Sequence, residues 1–318
     1  MSSAVVLFNL GGPDSIEAIG PFLNNLFCDP DIFNLPFGQK LFAKLISSRR
    51  APKVAEEYKL IGGRSPINEW TEKQRSMLEV SLRNNNESVD VYTAMRYWNP
   101  LTKEVAANVE SKNYDKIILL PLYPHYSITT TGSSFNEWNR HYKGDKSKLI
   151  FVNDYYLHPK YLEAINQRID ETILRFPEKV RNEIQIVFSA HGTPISLVKK
   201  GDPYCKHIKQ TVEAVMKLRK HSHNHHLCFQ SKVGPMKWLE PATSTMIEEL
   251  ALQNKKNLMI VPISFVSDHV ETLFELDIEY RHVAEKAGIE NYIVMKGLND
   301  SQLFIDALSE IVKAKLNE

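Results

Sequence analysis

The chain has 318 residues, 39 basic against 38 acidic side chains and a formal net charge of +1. That length holds two domains, each able to bury its own core, and the charge balance gives no global case for a nucleic-acid partner. Cys28, Cys205 and Cys228 stand far apart without a C-x-x-C pair, which excludes a zinc or disulfide framework and suits a reducing compartment. No run reaches about 18 apolar residues, and the N-terminal MSSAVVLFNLGGP has neither the basic start nor the long apolar stretch of a secretory signal. A soluble or peripherally bound protein is expected.

Residues 4–10 predict a buried strand that stops at Gly11, Gly12 and Pro13, the punctuation of a strand-to-helix turn in an α/β unit. Neither G-x-G-x-x-G nor G-x-x-x-x-G-K-[ST] occurs, so dinucleotide and P-loop sites lose their sequence support. Across 33–46, Phe33, Leu35 and Phe37 lie in a loop before a short amphipathic helix carrying Leu41, Phe42, Leu45 and Ile46, with Arg49 and Arg50 behind it. Two readings stand for it: a core helix with a basic end, or a flap that touches a large flat apolar ligand or a membrane surface. YKLIGGRSP, 58–66, is a glycine turn carrying Arg64 and Ser65.

Strands at 89–95 and 116–122 run into Arg96, Tyr97 and Trp98, and into Tyr123, Pro124, His125 and Tyr126. Ligands of parallel α/β sheets sit beyond the carboxyl ends of strands, so a site is expected there. SITTTGSS, 127–134, reads as a capped turn or as an anion cradle. After a fourth strand at 149–153, a second series opens at 184–189 and ends in His191 and Gly192. VVLFNLGGP resembles IQIVFSAHGTP, IILLPLYPHYS resembles LMIVPISFVSDH, and AMRYWNP has a partner in CFQSKVGP. The duplication predicts an α/β protein of two similar Rossmann-like domains, each with a four-stranded parallel sheet and with a cleft between them. Their expected bounds are 1–170 with 298–318, and 171–297, the amphipathic segment 302–316 packing back on the first sheet.

His221, His223, His225 and His226 in KHSHNHHLC read as a solvated loop or a metal-binding tract. Trp238 is a large aromatic on a turn. A strand at 258–263 leads to a helix opened by Asp268, with Glu271 three residues on as in a capping box. Glu271, Glu275 and Glu279 then form a stripe, and Asp277 can pair with Arg281. No Lys or Arg lies three or four positions from Glu271 or Glu275, so their repulsion calls for a divalent cation or a shared proton. A solvated acidic face is the plain alternative.

The ordered series NLGGPDS, IGGRSPINEWT, MRYWNP, LPLYPHYSITTTGSS, SAHGTP, GDPY, QSKVGPMKWL and FVSDHVETLFELDIEY resembles the ferrochelatase family, which inserts ferrous iron into a porphyrin to complete haem. The resemblance implies two Rossmann-like domains with the porphyrin in the cleft between them. It implies His191 and Glu271 as the catalytic and metal-facing pair on one side of the ring, and Asp268, Glu275 and Glu279 as an acidic track along a helix with a widened π-type turn. Leu10, Arg96 and Tyr123 resemble pocket residues toward the other face, Arg49 and Ser65 residues near the propionates, and Trp238 with 33–46 the lips of the pocket mouth. Insertion removes two pyrrole protons, and an imidazole of ordinary pKa, about 6.5, can accept one near neutral pH.

Fe²⁺ is thus expected as a substrate beside protoporphyrin IX, with no prosthetic group. The chain stops at Glu318 without the cysteine-bearing extension of animal members, and Ile128 stands where those members supply a cluster cysteine, so no iron–sulfur cluster is expected. Leu10 stands where members acting on coproporphyrin carry a tyrosine, which favours protoporphyrin IX. The resemblance further implies a cytoplasmic monomer or weak dimer, peripheral on the inner membrane if 33–46 touches lipid. A coproporphyrin III chelatase and a non-catalytic tetrapyrrole carrier are the alternatives. A hydrolase built on Ser189 and His191 lacks the G-x-S-x-G elbow.

Overall fold

The structure, a computed structural model, describes residues 2–33, 37–84, 88–232, 234 and 236–318. Leu35 of the apolar loop and Pro235 of the turn before Trp238 lie outside the described residues. Runs of Val, Ile and Leu form parallel strands, and those covered on both faces are apolar at nearly every position. In the first sheet these are β1 (Ser3–Asn9), β2 (Val89–Met95), β3 (Lys116–Pro121) and β4 (Leu149–Phe151), in the order β2-β1-β3-β4. In the second they are β5 (Gln185–His191), β6 (His225–Gln230), β7 (Asn257–Pro262) and β8 (Asn291–Val294), in the order β6-β5-β7-β8. Every pairing is parallel. Central strands β1 and β7 are buried at every residue.

Identical strand orders confirm the duplication, and smaller features repeat with them. After β2, Met95 N–H returns to bond the Pro100 carbonyl at 2.8 Å; after β6, Phe229 N–H bonds that of Pro241 at 2.9 Å. The helices Thr102–Ser111 and Thr243–Leu252 follow. The counterpart of Asn99–Pro100 is therefore Glu240–Pro241 and not the Gly-Pro of CFQSKVGP, because the second unit inserts the Trp238 turn ahead of it. A π-helical turn also follows the third strand of each sheet, Ile128–Gly132 in one and Glu271–Glu279 in the other. The segment 127–134 is thus a widened, Ser127-capped turn.

The chain divides into one unit of Met1–Tyr155 with Phe304–Glu318 and a second of Tyr156–Leu303. The helix Pro159–Ile173, expected in the first unit, is held by the second. Its Tyr161 hydroxyl bonds the Ile263 carbonyl, Arg168 bonds that of Leu298, and Asp170 pairs with Arg219. The helix Gln302–Leu316 packs on the first unit, where Lys116 Nζ bonds the Leu316 carbonyl at 2.6 Å and Ser309 meets Ser81 at 3.1 Å.

The helix expected to be short, with its apolar side either in the core or turned outward, differs most in length. It runs Gln39–Leu60, through Pro52, and buries Ala43, Ser47 and Tyr58. Phe37, Leu41 and Leu45 stay outside, the first two at 92% and 74% exposure. Small residues let this helix lie close to its own unit, and the larger apolar ones project. The histidine tract is ordinary structure: His225 and His226 open β6, His223 Nε2 lies 3.0 Å from the Arg181 carbonyl, and burial lowers the pKa of His225 and His226. Among the described residues no group of three or more His, Cys, Asp or Glu side chains is arranged to hold a metal ion.

Candidate functional site

In the second unit β5 and β7 are neighbours while the chain crosses to β6 on one side and to β7 on the other, so their carboxyl ends flank a topological switch point. His191 is the last residue of β5, and Glu271 is the first of the π-helix that follows β7. Sheet order thus brings them together, with His191 Nε2 3.2 Å from Glu271 Oε1. The other edge of the ring is fixed, Nδ1 lying 2.7 Å from the Gly192 carbonyl. Side chains also hold the His191 backbone: its N–H donates to Ser264 Oγ at 2.9 Å, and its carbonyl accepts from the Tyr204 hydroxyl at 3.0 Å.

Glu271 serves two imidazoles. Its Oε2 lies 2.7 Å from His269 Nε2, while His269 Nδ1 lies 2.9 Å from the Ser267 carbonyl. Phe265 presents its ring edge-on to both histidines, at centroid distances of 4.5 and 6.2 Å. With the Gly192 carbonyl taking Nδ1–H, Nε2 of His191 can donate to a carboxylate only as an imidazolium. The electrostatics agree. Burial pulls the imidazolium down, but the Glu271 charge and hydrogen bond, with Glu275 behind them, raise its pKa to about 9. Burial likewise pushes the Glu271 carboxyl up, yet His191 and His269 hold it well below the usual carboxylate range. The resting site is an ion pair, with the base already carrying a proton near neutral pH.

Glu275 lies one turn along. Its carboxylate accepts from Gln230 Nε2 at 2.9 Å, Ser231 N–H at 2.7 Å, Ser231 Oγ at 2.5 Å and the Tyr280 hydroxyl at 3.0 Å. Ser189 donates to Gln230 Oε1 at 3.0 Å and so orients that amide. Burial, then the Glu275 charge, pushes the Tyr280 phenol up, keeping it a donor. The repulsion expected between Glu271 and Glu275 is therefore met by imidazoles on one and neutral donors on the other. Tyr280 N–H bonds the Glu275 carbonyl, five residues back, the widened spacing of a π-helix. Glu279 is exposed beyond it, and Asp277 pairs with Arg281.

Asp268 stands apart from that row. It is buried, and its carboxylate accepts from Gly297 N–H at 3.0 Å, Thr272 Oγ1 at 3.0 Å and Asn299 Nδ2 at 2.6 Å. The expected capping box with Glu271 does not form, because Glu271 turns to the histidines and Thr272 Oγ1 takes the His269 N–H. Asp268 anchors the start of the π-helix to the loop after β8. Trp238 is bridged to Pro194 through Ile195 N–H to the Lys237 carbonyl and Leu239 N–H to that of Thr193. Gly192 must be small here, since a Cβ would lie 2.6 Å from the Gln230 carbonyl and 3.4 Å from the Trp238 ring. A cavity of about 500 Å³ beside Trp238 is lined by Gly192, Gln230, Lys232 and Glu249.

In the first unit Leu10, Arg96 and Tyr123 follow the adjacent strands β1, β2 and β3. Leu10 N–H bonds Asn9 Oδ1 at 2.9 Å, and Asn9 Nδ2 bonds Thr71 at 2.9 Å. Arg96 is buried and pairs with Asp29 at 2.8 Å. Burial pushes the Tyr123 phenol up against the opposing pull of Ser134 and Arg96. Ser65 is buried beneath the glycine turn, its side chain 2.5 Å from where a Cβ on Gly12 would stand, which explains the glycine. Arg49 is exposed on the helix Gln39–Leu60. His269, Gln230, Ser231 and Asp29 belong to these clusters without having been singled out as site residues from sequence. His269 had a signal, its place between Asp268 and Glu271, whereas the others are ordinary strand-end or loop residues.

A family model described as Ferrochelatase matches residues 2–316. A protein named ferrochelatase from Citrifermentans bemidjiense is 44% identical, over 98% of this chain and 98% of its own length. Proteins of the same name are 46% identical in Geotalea uraniireducens, over 98% and 97%, and 42% identical in Trichormus variabilis, over 99% and 82%. Among solved structures, SirB from Bacillus subtilis with Fe³⁺ aligns with a TM-score of 0.54 at 12% identity, covering 99% of this chain and 96% of that one. CbiX, the terminal enzyme for siroheme biosynthesis in denitrifying bacteria, gives 0.53 at 10% identity, covering 99% of each. Those two likenesses are of fold.

Proposed function

The chain belongs to the ferrochelatase family, enzymes that insert iron into a porphyrin in haem biosynthesis, and we propose that this member acts on protoporphyrin IX through His191 and Glu271. It is a lyase that needs no prosthetic group beyond its iron substrate. The observation that carries the assignment of residues is the His191–Glu271 ion pair at the carboxyl end of β5, its imidazole locked by Gly192 and its carboxylate shared with His269. Metallation replaces two pyrrole N–H bonds by bonds to Fe²⁺ and releases two protons. His191 holds a proton at rest, so it first loses that proton outward and then accepts one from the ring. Glu275, ringed by donors, and exposed Glu279 lie in the right order to pass protons to solvent. Asp268, with its carboxylate filled by neighbours, supports the track by fixing its helix.

Leu10, Arg96 and Tyr123 supply contacts to the porphyrin from the first unit, with Ser65 and Arg49 toward its propionates and Trp238 at the mouth. Leu10, apolar and partly exposed, suits a vinyl-bearing ring. No iron–sulfur cluster takes part: Ile128 has no thiol, and Cys228, inside β6, has its thiol pushed up to about 12 by burial. We place the enzyme in the cytoplasm as a monomer or weak dimer. No described helix is long and apolar enough to cross a membrane. Phe37, Leu41 and Leu45 give it a peripheral lipid contact, with Lys40 and Lys44 exposed among them.

The test is anaerobic incubation of the purified protein with protoporphyrin IX and Fe²⁺, following the porphyrin spectrum. Native protein should metallate the ring, and His191→Ala should slow the step by about 100-fold or more, the usual weight of a proton-transfer group. Porphyrin bound but never metallated would point to a carrier. Faster turnover of coproporphyrin III than of protoporphyrin IX would reverse the substrate assignment.

A further inference from the structure

Asp29 is a fully buried carboxylate in the loop after the helix Ile19–Phe27, and the chemistry above makes no use of it. Four donors converge on it. Asp31 N–H lies at 2.8 Å, Arg96 Nη2 at 2.8 Å, the Tyr97 hydroxyl at 2.7 Å and Ser133 Oγ at 2.5 Å. Ser133 Oγ in turn accepts from Arg96 Nε at 2.8 Å. The guanidinium also lies 5.1 Å from the Tyr97 ring centroid, and Glu137 approaches Nη2 at 3.5 Å. These contacts take the Nε and Nη2 edge, which turns the Nη1 side of Arg96 away from Asp29. A buried ion pair adds little net stability over apolar packing, so its value lies in fixing where the charge and its donors point.

We propose that Asp29 is a positioning residue that, with Ser133, fixes the Arg96 guanidinium so that its Nη1 side meets the porphyrin. The inference rests on the reading of Arg96 as a porphyrin contact. It gives Asp29 two effects: it cancels the charge of a guanidinium that is 8% exposed, and it removes the rotamer freedom that Arg96 would otherwise lose on binding.

The test is fluorescence titration of protoporphyrin IX, without metal, into native protein and the variants Arg96→Lys, Asp29→Asn, Ser133→Ala and the double variant Asp29→Asn/Arg96→Lys. Thermal midpoints are recorded alongside as a check of folding. Asp29→Asn and Arg96→Lys should each weaken binding by about tenfold, and the double variant should be no weaker than either single one, because both act through one contact. Turnover should show the loss in KM rather than kcat, which a general loss of fold would not do. Ser133→Ala keeps the ion pair and loses only one anchor, so it should weaken binding about threefold; it decides the matter if Asp29→Asn does not fold. Native affinity in Ser133→Ala, or additive losses in the double variant, would overturn the inference. Native protein that binds and metallates porphyrin while Arg96→Lys is unaltered would overturn it alone. Native protein that binds no porphyrin would overturn it together with the proposed function.

Discussion

At the scale of single residues, His191 changes meaning between sequence and structure. An imidazole of ordinary pKa would stand ready as a base near neutral pH. Here burial lowers the imidazole, and the Glu271 charge and hydrogen bond, together with Glu275 and the Gly192 carbonyl, outweigh it and carry His191 to about 9. If His191 must be neutral to accept a pyrrole proton, kcat/KM should rise with pH toward that value. In Glu271→Gln the main raising influence is gone, while burial still lowers and Glu275 and the Gly192 carbonyl still raise the imidazole, so the pH profile should move down from about 9 and kcat should fall roughly 100-fold. A pH–rate series on both proteins checks this, and an unmoved profile would separate His191 from the proton step. The pair itself was legible through the resemblance, SAHGTP and FVSDHVETLFELDIEY carrying its two members. The partner of His269 was not, since a histidine beside an aspartate says nothing about which carboxylate it will face. Only the turn of the π-helix decides that it meets Glu271 rather than Asp268.

Elements were legible where burial is two-sided and less so where one face is left open. The residues 89–95 form β2 as expected, and the runs 4–10, 116–122, 149–153, 184–189 and 258–263 fall within two residues of their strands, since apolar runs bounded by Pro and Gly leave little choice. For the helix Gln39–Leu60 the sequence left two readings open, because Leu and Phe at helical spacing mark either a buried side or an outward apolar flap, and only its length was read too short. In this helix Ala43 and Ser47 face inward, and Leu41 and Leu45, with Phe37 ahead of them, are exposed. On the proposed lipid contact, Phe37→Ser together with Leu41→Ser should reduce sedimentation with anionic phospholipid vesicles by about tenfold or more, given the ~1.5–3 kcal/mol that burial of each large apolar side chain contributes. Equal binding by native protein and variant would remove this helix from any membrane contact.

At the scale of the whole molecule, one topology is used twice and its strand ends are filled with different chemistry. Asn9 pairs with Met95 as Ala190 pairs with Phe229, so the position matching His191, a titrating imidazole, is Leu10, an apolar side chain. The second unit therefore carries a pH dependence at its sheet end that the leucine at the same place in the first unit cannot supply. The sign follows from linkage. His191 has a raised pKa in the folded protein, so its contribution to stability is complete below about 6.5 and is lost as pH rises through about 9. Glu271 has a depressed pKa, so its contribution is complete above about 4.5 and is lost as pH falls toward its folded value. Both are present together between those limits. Because His191 is 36% exposed, solvent screening reduces its share to on the order of 1 kcal/mol. The urea midpoint of native protein should then fall between pH 6.5 and 9 by more than that of His191→Ala, and parallel midpoints across that window would mean that the ion pair is equally formed in the unfolded chain.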